Sequence, residues 1–136
     1  MALTRRRLAP LAFAPWCVPP TAHAAGVTLR QAMARARELR EQAQRDGDQP
    51  YGAVVWRDEA IVGEAPSRVV LHNDPTAHAE LEAIRDAARR LGTRDLSACV
   101  LVSTSRPCRM CEAAAGWARI ERMVHGDALT DAGRPS

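Results

Sequence analysis

Asn-Asp-Pro-Thr-Ala-His-Ala-Glu, residues 73–80, is the most informative part of this chain, and Pro-Cys-Arg-Met-Cys, residues 107–111, completes it. Together they supply one imidazole, two thiols and one carboxylate that is not needed as a ligand. Zinc with three protein ligands keeps a fourth position for water, and a carboxylate beside that water can move its proton. The sequence therefore predicts a catalytic zinc site.

The spacing places both parts of this site at helix N-termini. Pro107 fits the first position of a helix, where a missing N–H costs nothing, so Cys108 and Cys111 lie three residues apart on one face. Thr76 is predicted as the N-cap of another helix, because the Asp74-Pro75 pair before it disfavours helical backbone. The following histidine and glutamate then fall in the first turn and project in different directions.

H-x-E followed by P-C-x-x-C is the signature of zinc deaminases that act on nucleobases and nucleosides. The run 73–120 resembles the cytidine deaminase-like superfamily, especially its guanine deaminase and tRNA adenosine deaminase branches. Residues 74–80 are similar to both branches, whereas residues 83–85 and 117–119 are more similar to the guanine deaminase branch. The resemblance implies one proton shuttle and three Zn²⁺ ligands: Glu80 as the shuttle, and His78, Cys108 and Cys111 as the ligands.

The activity that this resemblance implies is hydrolytic deamination of a small molecule, a purine base or nucleoside, with guanine favoured. Substrate contacts are expected at Ser67, Ala79 and Trp117, the last as a wall of the pocket. The alternatives are a tRNA adenosine deaminase, a cytosine or cytidine deaminase, and an inactive protein that keeps zinc as a structural staple. A thioredoxin-like redox pair is the rival interpretation of Cys-x-x-Cys, but it leaves His78 and Glu80 without a role.

Three departures from the family pattern bear on the substrate. Ser67 stands where the family commonly carries an asparagine that contacts the substrate, so the pocket loses an amide. Arg106 stands where the family usually carries a glutamate, which reverses a charge at the metal rim. The sequence ends at Ser136, whereas guanine deaminases continue with a fifth strand or helices that close the pocket. We therefore expect a C-terminally shortened domain, and the homodimer that is usual among relatives stays open.

Length and charge limit the other functional classes. A chain of 136 residues is one domain by the usual size range. The net charge of +3 comes from Arg5, Arg6 and Arg7, because from Ala25 onward sixteen arginines balance sixteen acidic residues. A neutral body lacks the basic excess that binds a phosphate backbone, so a nucleic-acid partner is not expected. No apolar run reaches the roughly 18 residues of a membrane span, so we expect no membrane partner after processing.

Residues 1–24 are predicted to be a signal peptide. They have a basic start, a short apolar middle and Ala22-His23-Ala24 before Ala25, which is the small-x-small pattern of a cleavage site. Thr4-Arg5-Arg6-Arg7-Leu8 resembles a twin-arginine signal, which predicts a periplasmic or secreted protein. The alternatives are an organellar transit peptide and a misassigned start codon, and the latter would leave the protein in the cytoplasm.

The rest of the chain, residues 25–136, is predicted to fold as an α/β domain. A capping box at residues 28–31 starts the first helix, which ends near Asp46-Gly47, and Gly92 ends the second. Apolar runs predict four strands, and a third helix runs to about Ala118; the strands are expected at residues 52–56, 60–63, 98–103 and 122–125. This order, together with the resemblance, predicts the three-layer α/β/α fold, a mixed sheet of about four strands with helices on both faces.

Overall fold

The computed structural model describes residues 26–136. Within these residues, three helices and five strands follow one another in the order α1 (Leu29–Arg45), β1 (Gly52–Arg57), β2 (Ala60–Pro66), α2 (Ala79–Leu91), β3 (Val100–Ser103), α3 (Arg109–Trp117), β4 (Arg122–His125) and β5 (Thr130–Gly133). The predicted signal peptide, residues 1–24, lies outside the described residues. From residue 26 onward no helix combines the length and the apolar character that a membrane crossing requires.

The five strands form one mixed sheet in the order β2-β1-β3-β4-β5. Only β3 and β4 run parallel; the other neighbours are antiparallel. The α/β prediction is confirmed, and the sheet has five strands where about four were expected. The missed strand, β5, pairs with β4 through Met123 opposite Gly133 and His125 opposite Thr130. Its sequence, Thr-Asp-Ala-Gly, carries no apolar alternation, so β5 is a strand because β4 offers it an edge.

Helices cover both faces of the sheet, as predicted. Successive residues of β1 point to opposite faces, so Val54 packs with α1 while Ala53 and Val55 pack with α2. The buried stripe of α1 consists of Ala32, Met33, Ala36, Leu39 and Ala43. The two apolar clusters therefore make a three-layer α/β/α arrangement with the sheet in the middle.

One edge of the sheet collects the ends of several elements. β1 and β3 are antiparallel, with Ala53 opposite Ser103, so the segment before β1 and the segment after β3 meet there. Gly52 and Thr104 fix this meeting, because the Thr104 N–H donates to the Gly52 carbonyl at 3.0 Å and the Gly52 N–H donates to the Thr104 hydroxyl at 3.2 Å. The side chains at the first turns of α2 and α3 reach the same edge, which positions the candidate site.

Candidate active site

Two of the predicted metal ligands are N-cap residues. His78 has extended backbone (φ −63°, ψ 149°) directly before α2, and Cys108 has extended backbone (φ −74°, ψ 169°) directly before α3. Their carbonyls accept the first helical hydrogen bonds, from the N–H groups of Glu82 at 2.9 Å and Glu112 at 2.8 Å. The positive ends of two helix dipoles therefore meet at the site, where they favour anionic ligands such as thiolates.

Both helices begin two residues later than the sequence analysis predicted. The predicted N-cap, Thr76, instead turns back on Asp74, whose Oδ1 accepts from the Thr76 N–H at 2.8 Å and from its hydroxyl at 2.7 Å. That local turn competes with helix formation and delays α2 to residue 79. Pro107 likewise precedes the N-cap of α3 and is not its first residue.

The three predicted ligand atoms converge on one point. His78 Nδ1 lies 3.7 Å from Cys108 Sγ and 3.7 Å from Cys111 Sγ, and all three atoms lie within 4.8 Å of one another. A tetrahedral zinc ion with Zn–N near 2.0 Å and Zn–S near 2.3 Å separates a nitrogen and a sulfur ligand by about 3.6 Å. The spacing and the mixed nitrogen and sulfur donors therefore fit zinc.

The buried cysteine of this set depends on a cation for its ionisation. Cys111 is buried, whereas Cys108 is exposed. Burial, and then the nearby Glu80 carboxylate and Cys108, raise the pKa of the Cys111 thiol far above its ordinary range. A coordinated metal ion deprotonates a thiol outright, so Zn²⁺ would offset this penalty.

Glu80 lies beside the ligand set without belonging to it. The residue is only 4% exposed, and its Oε1 accepts a hydrogen bond from the Ser103 hydroxyl at 3.0 Å. Its Oε2 lies 3.8 Å from Cys111 Sγ. One carboxylate oxygen is therefore anchored, and the other faces the metal set. Sequence reasoning missed Ser103, although a hydroxyl at the end of the buried apolar strand β3 was an available signal.

An open cleft of about 440 Å³ lies over the metal set, and Glu80, His78 and Cys108 line it together with Gln49, Tyr51, Ser105 and Arg106. Arg106, noted from the sequence for its reversed charge, is one of its walls. Sequence reasoning missed the other three outer residues. The detectable signal was their position, because they lie just before β1 and just after β3, and antiparallel pairing brings those two segments to one edge.

The structure does not bring the three expected substrate contacts to this cleft. Ser67 is fully buried, and its hydroxyl donates to Asp48 Oδ1 at 2.8 Å. Ala79 is fully buried in the core at the start of α2. Trp117 is 87% exposed and lines a different groove, between α2 and α3.

Comparison with known proteins decides the family. Residues 27–127 match the model of the cytidine and deoxycytidylate deaminase zinc-binding region. The chain belongs to this deaminase family. That match, on the fold and ligand set described above, confirms the predicted superfamily and the predicted class of fold. The matched region is a zinc-binding region, and the three converging side chains of this chain are positioned for a metal site.

The deaminase relatives include both predicted branches. Guanine deaminase of Bacillus subtilis (strain 168) is 45% identical over 83 residues, which are 61% of this chain and 53% of the relative. The tRNA-specific adenosine deaminase of Aquifex aeolicus (strain VF5) is 42% identical over 78 residues, 57% of this chain and 52% of the relative. The chain thus spans about half the length of these two relatives.

Solved structures of the family agree with the fold. The X-ray structure of guanine deaminase from Bacillus subtilis superposes with a TM-score of 0.70 at 37% identity, covering 75% of this chain and 68% of that one. A second structure, solved in complex with 2,6-diaminopurine, has a TM-score of 0.69 at 29% identity and covers 73% of this chain and 56% of that one. At least one structural neighbour therefore binds a purine.

Proposed function

We propose that this protein is a zinc-dependent hydrolytic deaminase of a purine base or nucleoside, with guanine favoured. The observation that carries the proposal is the placement of Glu80, anchored by Ser103 through one oxygen and turned to the metal set with the other. The guanine deaminase relative and the structural neighbour that binds 2,6-diaminopurine support a purine substrate.

In the proposed reaction, water replaces an exocyclic amine, leaving a carbonyl oxygen on the ring and releasing ammonia. His78, Cys108 and Cys111 would hold the zinc ion, whose chemistry is to make water nucleophilic near neutral pH. Glu80 takes a proton from the attacking water through Oε2 and passes it to the ring nitrogen. It then moves the proton of the added hydroxyl to the amine, so that the C–N bond breaks, ammonia leaves and the C=O bond forms. Ser103 holds Oε1 throughout, so the carboxylate keeps one orientation.

Ammonia release from guanine, adenine, cytosine and their nucleosides tests the proposal. We expect the zinc-loaded wild type to release ammonia from a purine, and Glu80→Gln to lower that rate by about 10²-fold to 10⁴-fold with unchanged zinc content. Glu82→Gln is a matched control, because Glu82 lies two residues along the same helix and pairs with Arg85, outside the cleft. Equal activity in the wild type and Glu80→Gln would remove the proton-shuttle assignment.

Two other functions predict different results in the same assay. An inactive zinc-binding protein would carry about one zinc ion per chain and release no ammonia from any substrate. A tRNA adenosine deaminase, favoured by the Aquifex aeolicus relative, would form inosine in a tRNA transcript, and that reaction would weaken as salt is raised. The equal numbers of arginines and acidic residues from Ala25 onward favour the small-molecule substrate.

A further inference from the structure

Asp48 joins two loops that flank the cleft. Its Oδ1 accepts from the Gln49 N–H at 2.7 Å and from the Ser67 hydroxyl at 2.8 Å. Its Oδ2 accepts from the N–H groups of Val70 at 3.0 Å and Leu71 at 2.9 Å. Gln49 lies in the loop between α1 and β1, and the other three donors lie between β2 and α2. One carboxylate therefore ties the cleft wall to the segment that leads to His78.

This carboxylate is both buried and charged. Asp48 is 8% exposed and Ser67 is fully buried. Burial alone would raise the pKa of Asp48, but its four hydrogen bonds outweigh that effect and leave the pKa below its ordinary value. The Ser67 hydroxyl donates to Asp48, so Ser67 stabilises the cleft wall from its buried side.

The backbone of Gln49 is fully engaged, but its side chain is not. The Gln49 N–H donates to Asp48, and its carbonyl accepts from the Tyr51 N–H at 2.8 Å, across a tight turn centred on Pro50. Within residues 26–136 the Gln49 side-chain amide has no hydrogen-bond partner, and the residue is exposed in the cleft that contains Glu80. The group that Gln49 can offer a ligand is therefore its side-chain amide.

A carboxamide suits the edge of a purine. It offers donors and an acceptor side by side in one plane, so it can form two hydrogen bonds with a ring nitrogen and a neighbouring exocyclic group. Arg106, in the same wall, can only donate. We propose that Gln49 binds the heterocycle edge and helps to determine specificity, and that Asp48 positions it. This inference rests on the proposed function of the same cleft.

Purine binding to zinc-loaded Glu80→Gln protein, which does not consume its ligand, tests the inference. Calorimetric titration with guanine, guanosine and 2,6-diaminopurine gives the dissociation constants. We expect adding Gln49→Ala to weaken the tightest of these by about tenfold or more. Adding Gln44→Ala, a change on the exposed side of α1 and outside the cleft, should leave it unaltered. An unchanged dissociation constant for Gln49→Ala, or binding of none of the three purines, would overturn the inference.

Steady-state assays of ammonia release test whether Asp48 positions Gln49, and they distinguish this inference from the proposed function. In an otherwise wild-type chain, Asp48→Asn should raise KM several-fold, since Gln49 loses a charged anchor, while kcat and zinc content stay the same. Ammonia release with an unchanged KM in Gln49→Ala would overturn this inference and leave the proposed function standing. Absence of ammonia together with Gln49-dependent purine binding would overturn the proposed function and support this inference.

Discussion

The inner and outer halves of the cleft are built by different means. The inner half comprises His78, Glu80 and Cys108, with the buried Cys111 completing the metal set, and helix starts place all four. The outer wall comprises Gln49, Tyr51, Ser105 and Arg106, and loops place all four. Local sequence determines where a helix starts, whereas a loop takes its shape from contacts made elsewhere. The inner half therefore follows from short local motifs, whereas the outer wall depends on contacts between loops that are distant in the sequence.

Substitution of a metal-binding side chain should have the largest effect on activity, and this effect should arise only in the inner half of the cleft. Cys111→Ala should lose zinc and reduce ammonia release to background, because two protein ligands hold the ion much less tightly than three. Metal analysis of the purified variant measures the loss. Cys99→Ala is the matched control, since Cys99 is equally buried but lies in the core away from the ligand set, and it should retain about one zinc ion. Full zinc occupancy in Cys111→Ala would show that Cys111 is not a zinc ligand and would contradict the description of the inner half of the cleft.

The outer wall should depend on the charge of Asp48. Asp48→Asn should lower the free energy of unfolding by about 2 kcal/mol at pH 7, because hydrogen bonds to a buried charge are weakened. The pKa of folded Asp48 lies below its ordinary value of 3.8, so this stabilisation is present above that value and is lost as the pH falls through the folded pKa. Urea denaturation at neutral and acidic pH should show the difference between variant and wild type shrinking in acid.

Asp127→Asn controls for a general effect of removing an acidic residue. Asp127 pairs with Arg37 on the surface, where its side chain is 75% exposed, so its loss should cost at most about 1 kcal/mol. An Asp48→Asn difference that stays constant with pH would show that the carboxylate is not the group that holds the two loops together.

A smaller effect on activity is expected from a change that leaves the metal-binding side chains and Glu80 in place. Ser103→Ala removes the donor to Glu80 Oε1, so kcat should fall by about fivefold while KM and zinc content change little. Ser97→Ala, an exposed serine far from the cleft, should have no effect. An unaltered kcat in Ser103→Ala would mean that Glu80 keeps its orientation without this hydroxyl.

The smallest effect is expected at Trp117, because it lies outside both halves. Trp117→Ala should leave KM within about twofold of wild type, since the side chain lines a separate groove between α2 and α3. Steady-state ammonia release measures it. A large rise in KM would show that Trp117 contacts the substrate after all, as the family resemblance implies.

Much of the fold was predictable because its signals are local. The capping box at Thr28 and Gln31 is present and starts α1 at Leu29. Gly92 adopts the left-handed conformation (φ 64°) that ends α2. The spacing of the histidine and cysteine motifs likewise identified all three atoms that converge in the metal set. The cap signals involve residues a few positions apart; the two halves of the metal set lie 30 residues apart, from His78 to Cys108, but each half is a short local motif.

Apart from the start of α2, which a local turn at Asp74 and Thr76 delays, the main features that sequence reasoning missed depend on distant partners. β5 is a strand because β4 supplies its pairing edge. The contact between Asp48 and Ser67 joins residues nineteen positions apart, and no local sequence pattern at either residue predicts it. Strand pairing brings the segments before β1 and after β3 to one edge, but the contact of Asp48 with Ser67 is needed to place the loop that carries Gln49.

X-ray absorption at the zinc edge, on the purified wild-type protein, measures the coordination on which the inner half of the cleft depends. Two sulfur atoms at about 2.3 Å and lighter atoms at about 2.0 to 2.1 Å are predicted, as expected for one imidazole, two thiolates and a water. A zinc shell without sulfur, or one with four sulfurs, would contradict the ligand set of His78, Cys108 and Cys111.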